Sequence, residues 1–175
     1  MWALSTGARN WELLYDGYGE DGHESEESGT APRSRVWSTA AESLVDPGLV
    51  YLFGGYNCAA LTGASMDATL SDLWVFDSGE RQWSLLEVAS SQPPPRRYHH
   101  SMDVIREDGH DVLLLFGGQL DSNLHLRDLW RGDVDANTGT VEWFELARPP
   151  SSLTATTRHA SAVELPSACA SRRSA

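Results

Sequence analysis

The chain is poor in cysteine, in positive charge and in long apolar runs, and each shortage removes a class of protein. Its two cysteines, Cys58 and Cys169, sit in a Gly/Ala/Asn stretch and a Ser/Ala/Arg tail. Neither a disulfide framework nor a Cys-x-x-Cys metal site can be built from them. Thirteen Lys+Arg against 25 Asp+Glu leave a net charge of −12, which repels phosphate backbones and anionic lipid. Nucleic acid and membrane surfaces are therefore not expected partners. The longest unbroken apolar run is Val112–Phe116, far short of the roughly 20 residues that span a bilayer. The segment Met1–Asn10 lacks a basic stretch leading into an apolar one, so no secretory leader is predicted and a cytoplasmic location is expected. No window repeats apolar residues at i, i+3, i+4 and i+7, so helix content should be very low. At 175 residues the chain has room for one ordinary domain or slightly more.

Tryptophan, by contrast, is abundant at 7 residues, and it recurs in phase. The segment Trp2–Trp11 lies over Trp74–Trp83, with the Trp pair nine apart in both and Gly and Arg in matching positions. A stretched third copy runs from Asp128-Leu129-Trp130, which matches Asp72-Leu73-Trp74, to Trp143 beyond the insertion 135–140. Ahead of the later two copies, Val50-Tyr-Leu-Phe-Gly-Gly55 aligns with Leu113-Leu-Leu-Phe-Gly-Gly118. Ahead of those stand Pro32-Arg33-Ser34-Arg35 and Pro95-Arg96-Arg97, and a partial copy begins at Arg158-His159.

Runs of four to seven apolar or alternating residues, cut by Gly, Asp, Asn and Pro, read as four short strands per unit. A sheet this small cannot bury either face alone and must stack on a neighbour. Paired glycines ending a strand permit positive φ and let a neighbouring ring approach. Tryptophans in fixed phase supply broad surfaces between sheets, each burying on the order of 200 Å². An apolar strand ending in Gly-Gly, then Asp-Leu-Trp, then a lone Trp, with Pro-Arg ahead, resembles the kelch motif of β-propellers. The repeat residues are Gly54, Gly55, Trp74, Trp83, Gly117, Gly118, Trp130 and Trp143. The resemblance implies an all-β chain of four-stranded antiparallel blades, strands A to D, with A innermost around a channel.

Strands are predicted at Val36–Ala41, Leu49–Phe53, Leu73–Asp77 and Gln82–Glu87 in one blade (31–87). A second blade (95–146) should hold Tyr98–Val104, Asp111–Phe116, Asp128–Val134 and Val141–Leu146. Met1–Ser5 and Asn10–Leu14 (1–14) read as C and D of a preceding blade, and Ser161–Leu165 (157–165) as the first strand of a further one. Together 1–165 give fewer than three blades, an incomplete, open propeller, whereas known propellers close with four to eight. A piece of a larger propeller or a truncated gene model is expected; an open array closing through self-association at its blade edges is the alternative. The stretch 15–30 holds an acidic run expected to be a disordered loop, and 166–175 a disordered tail.

Antiparallel order puts the long, varied B–C and D–A loops on one face, which is the expected recognition surface. Arg35, Arg97 and Arg158 recur there at the entrance to strand A, with Tyr56, Asn57, Gln119 and Asn123 on adjoining loops. Such arginines either grip carboxylates of an acidic peptide or bond neighbouring loop carbonyls as structural residues. His99-His100 cannot chelate one ion from a regular strand, because adjacent side chains point to opposite faces; packing beside strand A is expected. Kelch-like propellers are commonly protein-binding platforms, and the sequence shows no recognisable set of catalytic residues. No cofactor or metal is expected, and the partner should be a protein or peptide. The alternatives are a fragment without independent function and, through some relatives of the architecture, an oxidase or sugar-acid isomerase.

Overall fold

The computed structural model describes the backbones of β1 (Trp2–Ser5) and β2 (Asn10–Leu13), and residues 31–57, 68–120 and 124–147. The expected acidic loop, the C-terminal tail, the strand at Ser161–Leu165, Asn123, Arg158 and both cysteines lie outside these residues. Every element described is a strand. No helix among the described residues is long and apolar enough to cross a membrane.

β1 and β2 form an antiparallel pair. The next sheet comprises β3 (Thr39–Glu42), β4 (Leu49–Tyr56), β5 (Thr69–Asp77) and β6 (Gln82–Leu85), paired antiparallel in that order. The last contains β7 (Glu87–Val88), β8 (Ser101–Glu107), β9 (His110–Gln119), β10 (His125–Asp135) and β11 (Thr140–Ala147), in the order β7-β11-β10-β9-β8. These are open sheets, and the β3–β6 sheet has the four antiparallel strands that the repeat predicts.

Period-two alternation decides how the wedges meet. Ala41, Tyr51, Phe53, Leu73 and Val75 share one face of the β3–β6 sheet, by their pairing across β3, β4 and β5. Against it packs the face of the second sheet carrying Met102, Val104, Leu113, Leu115, Trp130, Val134, Val141 and Trp143, all in one continuous core. Trp143 meets Phe53 across the junction at 5.5 Å between ring centroids. Of the phased tryptophans, Trp74, Trp130 and Trp143 are buried at 3–5% exposure and Trp83 is half-buried. One exchange between repeats shows how the ring is accommodated. In the first sheet Trp83 packs on Phe76 at 4.9 Å. Its counterpart Trp143 lies over Gly132, where an added Cβ would come within 2.8 Å of the indole.

Three expectations are corrected. The innermost strands start at Thr39 and Ser101 rather than at Val36 and Tyr98. Trp37 and His99 adopt φ of +59° and +55°, which breaks the extended backbone. Only the single bridges Val36↔Tyr56 and Tyr98↔Gln119 remain ahead of them. The strand expected at Gln82–Glu87 divides at Leu86, which is 6% exposed and turns into the core between sheets. Beyond it, β7 leaves its own wedge and pairs in parallel with β11 of the next one. The second blade accordingly has five strands instead of four, its outer edge sealed by the strap that enters from its neighbour.

On the side of the short β3–β4 loop, a polar clasp joins the same two sheets. Asp111, 6% exposed at the start of β9, accepts hydrogen bonds from Ser43 Oγ at 2.5 Å, Tyr51 Oη at 2.9 Å and Leu44 N at 3.0 Å. Burial, then the bond to Asp111, pushes the Tyr51 hydroxyl well above the ordinary phenol range, so it remains a donor.

Candidate functional site

The long-loop face is built on a tie repeated in both wedges. Arg35 donates from Nη1 and Nη2 to the two oxygens of Asp72, at 2.6 and 2.9 Å, and from Nη1 to the Gly54 carbonyl at 3.0 Å. Its Nε donates to the Arg33 carbonyl. Arg97 does the same one repeat later, bonding Asp128 twice at 2.8 Å, the Gly117 carbonyl at 2.9 Å and the Pro95 carbonyl at 3.0 Å. The aspartates also accept from the indole two residues on, Trp74 Nε1 to Asp72 at 2.6 Å and Trp130 Nε1 to Asp128 at 2.7 Å. Asp-Leu-Trp is therefore a hydrogen-bonding motif: alternation puts Asp and Trp on one side of the strand, close enough for the indole N–H to donate to the carboxylate. Burial by itself would raise both carboxyl pKa values. The hydrogen bonds and charge of the arginines outweigh it and hold Asp72 and Asp128 below the usual carboxylate range.

These contacts turn Arg35 and Arg97 inward. Arg97 is fully buried and the Arg35 side chain is 5% exposed, so neither guanidinium is presented to a partner. Of the two alternatives raised by the sequence, the geometry of these two arginines is that of the structural residue.

The diglycines explain how closely the entrance segments approach. Gly54 and Gly55 have φ of +57° and +105°, and Gly117 and Gly118 +62° and +96°. A Cβ on Gly55 would lie 2.9 Å from the Val36 carbonyl oxygen, and one on Gly118 2.8 Å from that of Tyr98. At these two positions backbone occupies the space expected for a neighbouring aromatic ring. A ring does approach Gly54, where a Cβ would sit 3.2 Å from His100 Cε1 and 2.6 Å from the Arg97 carbonyl oxygen of the next wedge. Gly55 N donates to that same carbonyl at 2.9 Å.

Seated on this framework is an aromatic platform. Trp37 stacks on His99 with ring centroids 4.5 Å apart and touches Tyr98 at 5.6 Å and Tyr56 at 5.9 Å. Tyr56 and Tyr98 meet edge to face at 5.5 Å. Trp37 and His99 occupy the same repeat position in successive wedges, and His99 N donates to the Trp37 carbonyl at 3.0 Å. Trp37 is 49% exposed while holding a φ that costs a bulky residue about 1–3 kcal/mol. A half-exposed indole held in a strained conformation is a feature that core packing does not require.

Of the residues expected on this face, Tyr56 is part of the platform. Asn57 lies at its margin, with its N donating to the Ala68 carbonyl at 2.7 Å. Gln119 pairs with Tyr98 through both backbone groups. Trp37 escaped the sequence reading, although one signal marked it: it is the one tryptophan of the seven that falls outside the repeat phase. His99 and His100 have separate places, the first under Trp37 and the second edge-on to Phe53 at 5.5 Å. Among the described residues no group of three or more His, Cys, Asp or Glu could hold a metal ion.

No curated protein matches the chain. A solved structure titled "Structure of YjhT" is similar at 17% identity and a TM-score of 0.42, over 69% of this chain and 40% of that one. The chain thus spans less than half the length of that structure. The family model described as the KLHDC2/KLHL20/DRC7 Kelch-repeats domain matches residues 2–167. Diglycine strand ends, Asp-Leu-Trp ties and stacked antiparallel wedges agree with it, and the chain belongs to the kelch-repeat family.

Proposed function

We infer that the chain is a non-catalytic protein-binding scaffold whose long-loop face takes an acidic peptide segment on the Trp37 platform. Membership of a kelch-repeat family supports protein interaction in general, and the local chemistry supports this face and this class of partner. The observation that carries the reading is one of charge. Residues 31–41 and 88–102 contain four Arg, two His and no Asp or Glu, in a chain that holds 25 acidic residues. Arg35 and Arg97 are neutralised by Asp72 and Asp128. Arg33 and Arg96 are both exposed on the same two segments and add positive charge to them. A half-exposed Trp beside Arg is the composition of an interface anchor, and guanidinium groups suit carboxylates.

The test is a binding titration with a fluorescent peptide carrying Asp/Glu around one large apolar residue. Trp37→Gly relieves the positive-φ strain while removing the anchor, so binding should fall at least tenfold with the melting temperature held within a few degrees. Arg33→Ala with Arg96→Ala should weaken binding at low salt and flatten its salt dependence. Unchanged affinity in both variants would refute the assignment of the face. Stoichiometric turnover of a small substrate by the purified chain would refute the non-catalytic reading.

A further inference from the structure

We propose that His100 makes the junction between the two wedges acid-labile: protonating its imidazole uncouples the sheets and with them the halves of the loop-face platform. The inference does not depend on what that face binds. His100 enters the junction with three ties at once. Its carbonyl accepts from Thr39 Oγ1 of β3 at 2.9 Å. Its ring stands edge-on to Phe53 of β4 at 5.5 Å and occupies the space that a Cβ on Gly54 would need. Its Cα and Cβ lie in the space that a Cβ on Gly118 of β9 would take. The residue is 7% exposed, and neither ring nitrogen makes a hydrogen bond among the described residues.

An imidazolium in this position would carry two N–H donors, neither of them in hydrogen-bond geometry with an acceptor among the described residues. The surrounding charges do not compensate it. Arg97 and His99 flank it on its own segment, and Asp128 of β10 is held by Arg97 and Trp130. Across the junction the Arg35–Asp72 pair is closed on itself at the Gly54 carbonyl, and β3 and β4 bring Thr39, Phe53 and Gly54 against the ring. Burial, followed by the Arg97 charge, pushes the His100 pKa down to about 3; the Phe53 carbonyl, outside hydrogen-bond geometry, pulls weakly the other way.

The direction follows from linkage. A neutral imidazole in the folded chain and an ordinary one in the unfolded chain bind equal protons above about pH 7.5, a unit beyond the ordinary value, and there His100 imposes no pH dependence. Below that value the unfolded chain takes up the extra proton, and the folding constant falls up to about tenfold per pH unit until the folded pKa is reached.

Urea midpoints of the full chain between pH 7 and pH 4.5 test this with no ligand involved. From pH 6.5 to 4.5 the folding constant of the wild-type chain should fall about 50-fold more than that of His100→Phe. Parallel pH curves would overturn the proposal. Because His100→Phe could fail to fold, NMR of the native chain is the second arm. The His100 ring should show no titration above about pH 4, and a native-state midpoint near 6.5 would equally overturn the proposal.

Discussion

The repeated Arg–Asp–Trp tie offers an internal comparison, because one chain contains the same chemistry at two depths. In the second wedge the side chains of Arg97 and Asp128 are 0% and 5% exposed. In the first, those of Arg35 and Asp72 are 5% and 29% exposed. Replacing either aspartate by asparagine keeps the shape and removes the charge. In Asp128→Asn the guanidinium is left as a buried cation with only neutral acceptors, the Pro95 and Gly117 carbonyls and the introduced amide oxygen. Breaking a buried pair this way costs about 3–5 kcal/mol. In Asp72→Asn, water reaching the half-open carboxylate site solvates part of the exposed charge, and the cost should be about 1–2 kcal/mol. Urea unfolding at pH 7, followed by tryptophan fluorescence, measures both. Trp130→Phe adds a control: combined with Asp128→Asn it should cost less than the two single changes together, because they share one hydrogen bond. Equal losses for Asp72→Asn and Asp128→Asn, or a larger loss for Asp72→Asn, would refute the argument that depth sets the strength of the tie.

Other outcomes follow from the same geometry. Gly54→Ala places a Cβ 2.6 Å from the Arg97 carbonyl oxygen at φ +57°, whereas Gly109→Ala at φ +83° meets nothing within 4 Å. The second should cost about 1 kcal/mol and the first over about 3 kcal/mol, as thermal melts would show. Asp111→Ala strands the Ser43, Leu44 and Tyr51 donors and should lower stability by about 3 kcal/mol, with faster amide exchange at Leu44. Asp72 and Asp128 have pKa values held below the carboxylate norm, so their contribution is complete above about pH 4 and lost as pH falls through their folded values. Asp128→Asn should therefore flatten the stability profile below about pH 4 in urea midpoints.

Much of the architecture was legible in advance, because glycine doublets and phased indoles answer to local rules. A doublet such as Gly54-Gly55 marks positive φ and close approach wherever it stands, and Trp143 needs a flat surface in any stacked sheet. The boundary errors came from residues whose conformation is imposed by tertiary contact. Nothing in the letters of Trp37 or His99 announces a left-handed backbone, which is held by a cross-wedge hydrogen bond and ring stacking. The arginines were ambiguous for a related reason. Arg35 and Arg97 are visible as repeats, but their fate depends on Asp72 and Asp128, 37 and 31 residues away. In the sequence the Asp of Asp-Leu-Trp stands only as part of a pattern. Leu86 illustrates the limit most simply: it continues an apolar strand in sequence, yet the space between the sheets draws it out of line.

The strap at Glu87–Val88 has a consequence for how such a molecule comes apart. Covalently these residues continue the outer strand of one wedge, but their hydrogen bonds close the perimeter of the next. The cooperative unit is consequently staggered against the unit of sequence duplication, and severing the chain at a repeat boundary would leave one wedge intact and its successor with an exposed flank. Coupling of this kind has a polarity: among the described residues the β3–β6 wedge guards the one that follows it.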